Sequence, residues 1–157
     1  MEKIIKLRKL FKNFNLDGYI VPKNNNFFGE YVSAKEDNLK YISNFTGSAG
    51  FAVILKKKNY MFVDGRYTIQ ASIQCGKQFQ ICNIPSEYPF SVFKNKHLNL
   101  GFDPKLHTEN SLKRLFASKL IKLTPLNENL IDLIWKRKKN LNIKPFYLIK
   151  DKDAGLR

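Results

Sequence analysis

At 157 residues the chain suits one domain and is short for two, and a 43% apolar content is enough to bury a core, which excludes global disorder. No apolar run approaches the roughly 18 to 20 residues of a membrane span. The net charge of +15 raises nucleic acid as a partner, but it is nearly all Lys spread along the sequence, and Arg stands only at Arg8, Arg66, Arg114, Arg137 and Arg157. Weak adhesion at low salt is expected, and no specific nucleic-acid partner.

The first segment predicts an amphipathic helix over 3–14, with Ile4, Leu7, Leu10, Phe11 and Phe14 on one stripe. Its apolar residues are interrupted by charge, unlike the continuous run of a secretory signal. Tyr19-Ile20-Val21 reads as a short buried strand stopped by Pro22, and residues 23–26 as a polar turn. A partly helical stretch over 30–42, broken near Ser33, is expected next. Residues 51–55 and 60–63 read as strands of an antiparallel hairpin, with Lys56-Lys57-Lys58-Asn59 as its turn.

Asp64-Gly65 opens a helix to about Cys75, with Asp64 as its cap and Gly65 in an unusual backbone angle. A strand at 79–83, a short helix at 86–93 capped by Ser86, and a strand at 98–102 ending at Asp103-Pro104 follow. A helix at 108–119, a strand at 120–123 and a last helix at 129–138 complete the pattern. Strands alternating with helices imply a central sheet with helices packed on it, mixed because of the hairpin.

The residues offer little for catalysis. His97 and His107 are the only histidines, both in polar contexts where an exposed side chain is expected, and no metal-ligand motif is present. Cys75 and Cys82 make neither a disulfide framework nor a zinc site and suit a reducing compartment, which points to the cytoplasm. Ser48 lies in T-G-S-A-G, where Thr46 holds the position at which a nucleophile elbow needs Gly; a structural turn through Gly47 and Gly50 is the better reading. Arg66, in the first turn after Asp64, opposes the helix dipole. It therefore needs another partner, either a carboxylate or a ligand.

Six segments, taken together, resemble the N-terminal domain of the Xaa-Pro aminopeptidases (aminopeptidase P) of the creatinase/prolidase group. They are LDGYIVP (16–22), Glu30-Tyr31-Val32, NFTGSAG (44–50), VDGRYTIQA (63–71), GFDP (101–104) and ENLIDLIW (128–135). The resemblance implies an α/β fold: a mixed, mostly parallel central sheet of about six strands with helices on both faces. It implies a domain at 1–138, with 139–157 as a linker or the start of a following domain. It also implies that the catalytic centre, with two manganese ions, lies in a later domain, and that this domain contributes to dimerisation and to substrate access. No catalytic residue and no metal ligand is assigned to this chain, which alone is expected to be inactive.

Arg66 is the residue placed nearest that task, with Tyr31 and Glu30 as weaker candidates for a substrate-facing or interdomain surface. The implied partners are the catalytic domain or chain of the same enzyme, a second copy of the protein, and peptide substrate only through the full enzyme. The family pattern D-x-H before E-Y is replaced here by Asn25 and Phe27, which puts part of that face in doubt. Two alternatives stand beside this reading: a binding module that pairs with a separately encoded catalytic chain, and a basic nucleic-acid-binding protein.

Overall fold

Three consecutive runs, GYIVP, FAVIL and NYMFV, are buried along their whole length, as expected of strands covered on both faces of a sheet. The computed structural model describes residues 2–29, 31–137, 148–150 and 153–155. Its strands are β1 (Gly18–Pro22), β2 (Phe51–Leu55), β3 (Asn59–Asp64), β4 (Gln80–Ile84), β5 (Leu98–Phe102) and β6 (Ile121–Pro125). They form one sheet in the order β4-β3-β2-β1-β5-β6. β2 pairs antiparallel with β1 and β3, whereas β3–β4, β1–β5 and β5–β6 pair in parallel. Only β2 runs against the rest, so the sheet is mixed and mostly parallel.

The helices are α1 (Glu2–Phe11), α2 (Asn38–Ser43), α3 (Thr68–Cys75), α4 (Pro89–Val92), α5 (Glu109–Leu115) and α6 (Leu130–Ile134). The pleat of the strands divides the core in two. On one face Tyr19, Val21, Ala52, Ile54, Met61 and Val63 meet α1, α2, α3 and α6 through residues such as Leu7, Phe11, Leu39 and Ile131. On the other face Ile20, Phe51, Val53, Tyr60, Phe62 and Leu100 meet Phe93 after α4, Leu112 of α5 and Phe116. Each large apolar side chain so buried contributes about 1.5–3 kcal/mol. Cys75 and Cys82 are free, buried and on opposite faces of the sheet, with both thiols pushed up to about 11 by burial.

Several expectations are corrected. The helix expected over 30–42 is confined to α2: the described residues before it are bends and turns, and the helix begins only where the Asp37 side chain accepts from Lys40 N at 2.9 Å. Ser86 caps no helix. It donates to Asn83 O within a turn, and α4 starts at Pro89, whose fixed φ suits a first helical position. Gly65 has no left-handed angle; the positive-φ glycines are Gly50, Gly76 and Gly155. His107 is not an exposed side chain. Its ring stands edge-on to Phe102 at 5.7 Å, and burial lowers its pKa to about 4 against the opposing charge of Asp103. The expected linker 139–157 lies, apart from 148–150 and 153–155, outside the described residues.

Candidate functional site at the carboxyl edge of the sheet

The five parallel strands all end on one edge, and β2 begins there because it runs the other way. The connections at this edge carry nearly every sequence motif: residues 23–37 after β1, the TGSAG turn before β2, DGRY after β3, and Asp103-Pro104 after β5. In open α/β sheets, ligands bind outside the carboxyl ends of the strands.

Asp64 closes β3 and organises the DGRY turn. Its Oδ1 accepts from Arg66 N at 2.9 Å and Arg66 Nε at 3.1 Å, and its Oδ2 accepts from Arg66 Nη2 at 2.7 Å. These hydrogen bonds hold the Asp64 carboxyl below the usual carboxylate range and raise Arg66. The carboxylate partner that Arg66 needs is thus two residues away, yet the Arg66 side chain remains 75% exposed. The guanidinium lies 5.4 Å from the centre of the Tyr67 ring. A planar cation held from one side and open on the other can accept a carboxylate or a peptide carbonyl.

The TGSAG turn is fastened to α3 and to DGRY. Thr46 N donates to Gln74 Oε1 at 2.8 Å, and Thr46 Oγ1 accepts from Gln70 at 2.9 Å and Gln74 at 2.8 Å. The Ser48 hydroxyl pairs with the Tyr67 hydroxyl at 2.7 Å, so the partner of Ser48 is a phenol and not a histidine base. Gly50 has φ +148, and a Cβ there would meet Phe62 O at 3.0 Å. This is the tight entry into β2 that the turn requires.

The loop after β1 is pinned at both ends. Lys23 N donates to Gly50 O at 3.1 Å, and Lys23 Nζ meets Asp37 Oδ2 at 2.5 Å with both side chains nearly buried. Between these anchors, Asn25 Oδ1 accepts from Phe27 N and Gly29 N. Asn25 thus folds the loop back on itself. Phe27 and Tyr31 are both 85% exposed. Glu30 lies outside the described residues. Tyr31 and Arg66 therefore share an edge, on connections from strands separated by β2, and the carboxyl edge does not bring them into one pocket.

A polar cleft of about 350 Å³, which the sequence did not reveal, opens at the same edge between the ends of β1, β5 and β6. The chain reverses its direction of travel across the sheet between β1 and β5, so the cleft lies at the switch point. Asn129 donates to Asp103 at 2.9 Å on its wall, and Arg137 bonds Asn38 and Asp132 at 2.6 Å each. Arg137 also lies 4.7 Å from the centre of the Trp135 ring. Neither Tyr31 nor Arg66 lines this cleft. The sequence signal for it was the pair GFDP and ENLIDLIW, whose Asp103 and Asn129 meet here.

Among the described residues no group of three or more His, Cys, Asp or Glu side chains can hold a metal ion. Asp103, Asp37 and Asp132 are engaged as a cap or in ion pairs. The described residues do not fit the two manganese ions of the resemblance. No described helix is long and apolar enough to cross a membrane.

A mixed six-stranded sheet with these loops on its carboxyl edge defines a known class of domain. Residues 3–130 match the family model of the creatinase/prolidase N-terminal domain, and the chain belongs to that family. It is 34% identical over 144 residues to a probable Xaa-Pro aminopeptidase P of Laccaria bicolor, covering 85% of this chain and 22% of the relative. With aminopeptidase P1 of Arabidopsis thaliana it shares 31% over 153 residues, 92% of this chain and 24% of that protein. The chain thus spans about a quarter or less of the length of these relatives. The crystal structure of X-prolyl aminopeptidase from Caenorhabditis elegans, a cytosolic enzyme with a di-nuclear active site, superposes with a TM-score of 0.79. Its identity is 26%, over 99% of this chain and 28% of that one. The N-terminal domain of the peptidase PepQ from Mycobacterium tuberculosis shares the fold, with a TM-score of 0.65 and 18% identity over 85% of this chain and 98% of that one.

Proposed function

We propose that this domain is the non-catalytic N-terminal part of an Xaa-Pro aminopeptidase-type metallopeptidase, which releases an N-terminal residue preceding proline. In this reading the carboxyl edge of the sheet faces the catalytic domain, and Arg66 meets the peptide entering it. Tyr31 stands on a connection of the same edge, and Glu30 is assigned to this task by the resemblance alone. The two manganese ions would be held by the catalytic domain, which would supply the activated water; this domain would orient the peptide, contribute to the dimer and restrict access. A cytoplasmic setting fits the two free thiols.

The observation that carries the reading is the presentation of Arg66. Asp64 grips the guanidinium from one side, and no described structure covers the other. A purely structural arginine would spend its donors inside the fold; this one keeps an open face on the edge where the family motifs gather.

The test is to join residues 1–157 to the catalytic domain of a relative and measure kcat/KM on an Xaa-Pro peptide with Mn²⁺. The isolated chain should show no turnover. In the joined enzyme, Arg66→Ala should lower kcat/KM by at least about tenfold, the scale of one lost charged hydrogen bond, and Arg66→Lys should recover part of it. An unchanged kcat/KM in Arg66→Ala, or turnover by the isolated chain, would remove this assignment.

A further inference from the structure

Eight of the 23 lysines fall on one edge of the sheet, where almost no acid accompanies them. The amino edge of the sheet, opposite the motif edge, is built from the connections 12–17, 55–59, 75–80, 93–98 and 116–121. These read KNFNLD, LKKKN, CGKQFQ, FKNKHL and FASKLI, and Asp17 is the one acid among them. That acid is already neutralised: it accepts from Lys56 Nζ at 2.7 Å and from Asn99 N at 2.9 Å. The carboxyl edge has the reverse character, with Glu36, Asp37, Asp64, Glu87, Asp103 and Glu128 in its connections. A genome-wide bias toward Lys would add cations everywhere; it would not strip the acids from one edge.

The basic edge is also grooved. One groove, about 540 Å³, runs beside α1 and the start of β4 and is lined by Arg8, Lys57, Lys58 and Lys77. A second, about 380 Å³, runs toward the start of β5 and is lined by Lys56, Lys57, Lys58, Lys96 and His97. Lys57 and Lys58 at the tip of the β2–β3 hairpin form a wall common to both. Arg8 fixes this arrangement by donating to Leu55 O and Asn59 Oδ1, both at 2.8 Å, which ties α1 to the hairpin. Lys77 and Lys119 follow the ends of α3 and α5, where a cation complements the helix dipole. Lys57 and Lys58 at the hairpin tip have no such local reason, and unlike Lys56 they pair with no described acid.

We propose that this amino edge binds the phosphate backbone of single-stranded nucleic acid without regard to sequence. The grooves extend from β4 to β5, four strand spacings or about 19 Å, enough for about three or four phosphates of an extended single strand at about 6 to 7 Å apiece. Charge complementarity selects a polyanion, and two grooves meeting at a ridge suit a flexible strand better than a flat bilayer. Base stacking plays no part, because among the described residues neither groove is lined by an exposed aromatic ring: Phe27, Phe28 and Tyr31 lie on the opposite edge, and Phe90 is in α4. The binding is independent of the peptidase reading, which uses the other edge.

The test is fluorescence anisotropy of a labelled 20-nucleotide single strand titrated with the full 157-residue chain. Affinity should fall about 20- to 50-fold between 50 and 200 mM salt, as expected for three or four neutralised phosphates of a single strand. Lys57→Gln/Lys58→Gln/Lys96→Gln should weaken binding at least tenfold at 50 mM salt and flatten the salt slope. The control Lys35→Gln/Lys40→Gln/Lys113→Gln removes the same charge elsewhere and should weaken it far less. Among the described residues, all these lysines except the ion-paired Lys113 lie outside the salt bridges, and far-UV circular dichroism verifies the fold of each variant. Equal losses in the two triple variants, the absence of binding at 50 mM salt, or retention by anionic vesicles without binding to the oligonucleotide would each overturn the proposal. Strong preference for one sequence would overturn backbone-only contact.

Discussion

The hydroxyl groups of Ser48 and Tyr67 meet at 2.7 Å and join the TGSAG turn to the DGRY turn. Two of the six family motifs are therefore one structural unit, with the Tyr67 ring also standing edge-on to Phe45 at 5.9 Å. Removing either hydroxyl leaves the other able to reach water, so Ser48→Ala and Tyr67→Phe should each cost no more than about 1 kcal/mol in urea denaturation. The two changes should be non-additive by about 0.5–1 kcal/mol. Strict additivity in the double-mutant cycle would show that the bond does not form in solution.

Gly47 and Gly65 look alike in sequence, each beside a polar residue in a family motif, and the structure separates them. A Cβ on Gly47 would fall 2.2 Å from Cζ of Phe45, a ring with no exposed surface, so Gly47→Ala must displace a core side chain. A destabilisation of about 1–3 kcal/mol is expected. At Gly65 the nearest atom is Asn83 Oδ1 at 3.8 Å, and the backbone is not left-handed, so Gly65→Ala should leave the urea midpoint nearly unchanged. The pair measured side by side decides whether the first glycine is needed for packing.

Lys23 and Asp37 close the loop that carries Tyr31, with their side chains 11% and 6% exposed. Asp37 does two tasks, since its other oxygen caps α2 through Lys40 N. Lys23→Met leaves a buried carboxylate without its cation and should cost about 3–5 kcal/mol. Asp37→Asn keeps a capping oxygen but strands the ammonium. Its stability should fall too, with loosening visible as faster amide exchange in α2. A Lys23→Met protein as stable as the parent would show that the pair is open to water.

Much of this architecture was legible because it is local. The hairpin is two apolar runs around a lysine turn, Thr108 and Asn129 cap α5 and α6 from one residue before each, and Asp64 finds Arg66 two residues away. What was missed depends on distant parts of the chain. The stretch before α2 reads as helix from its composition, but Asn25 and the Lys23–Asp37 pair hold it as a loop. The switch-point cleft forms only when Asp103 and Asn129 meet, and the basic edge only when five connections fall on one side of the sheet.

His107 was missed for a nearer reason: its ring turns back edge-on to Phe102, five residues earlier, and not toward the polar residues beside it in sequence. Its Nε2 is buried without a hydrogen-bond partner, and burial lowers the pKa from 6.5 to about 4. The folded state therefore favours the neutral ring. Above pH 6.5 both states are neutral and stability has no His107 dependence. As pH falls below 6.5 the unfolded chain takes up a proton that the folded chain refuses, so stability drops by up to about 1.4 kcal/mol per pH unit. The loss levels off near pH 4, where the folded protein is protonated as well, after a total on the order of 3 kcal/mol. Urea denaturation of the parent and of His107→Phe at pH 7, 5.5 and 4.5 isolates this contribution from that of the carboxylates. The parent should lose stability more steeply than the variant across that interval; parallel curves would show that the ring is hydrated and titrates normally.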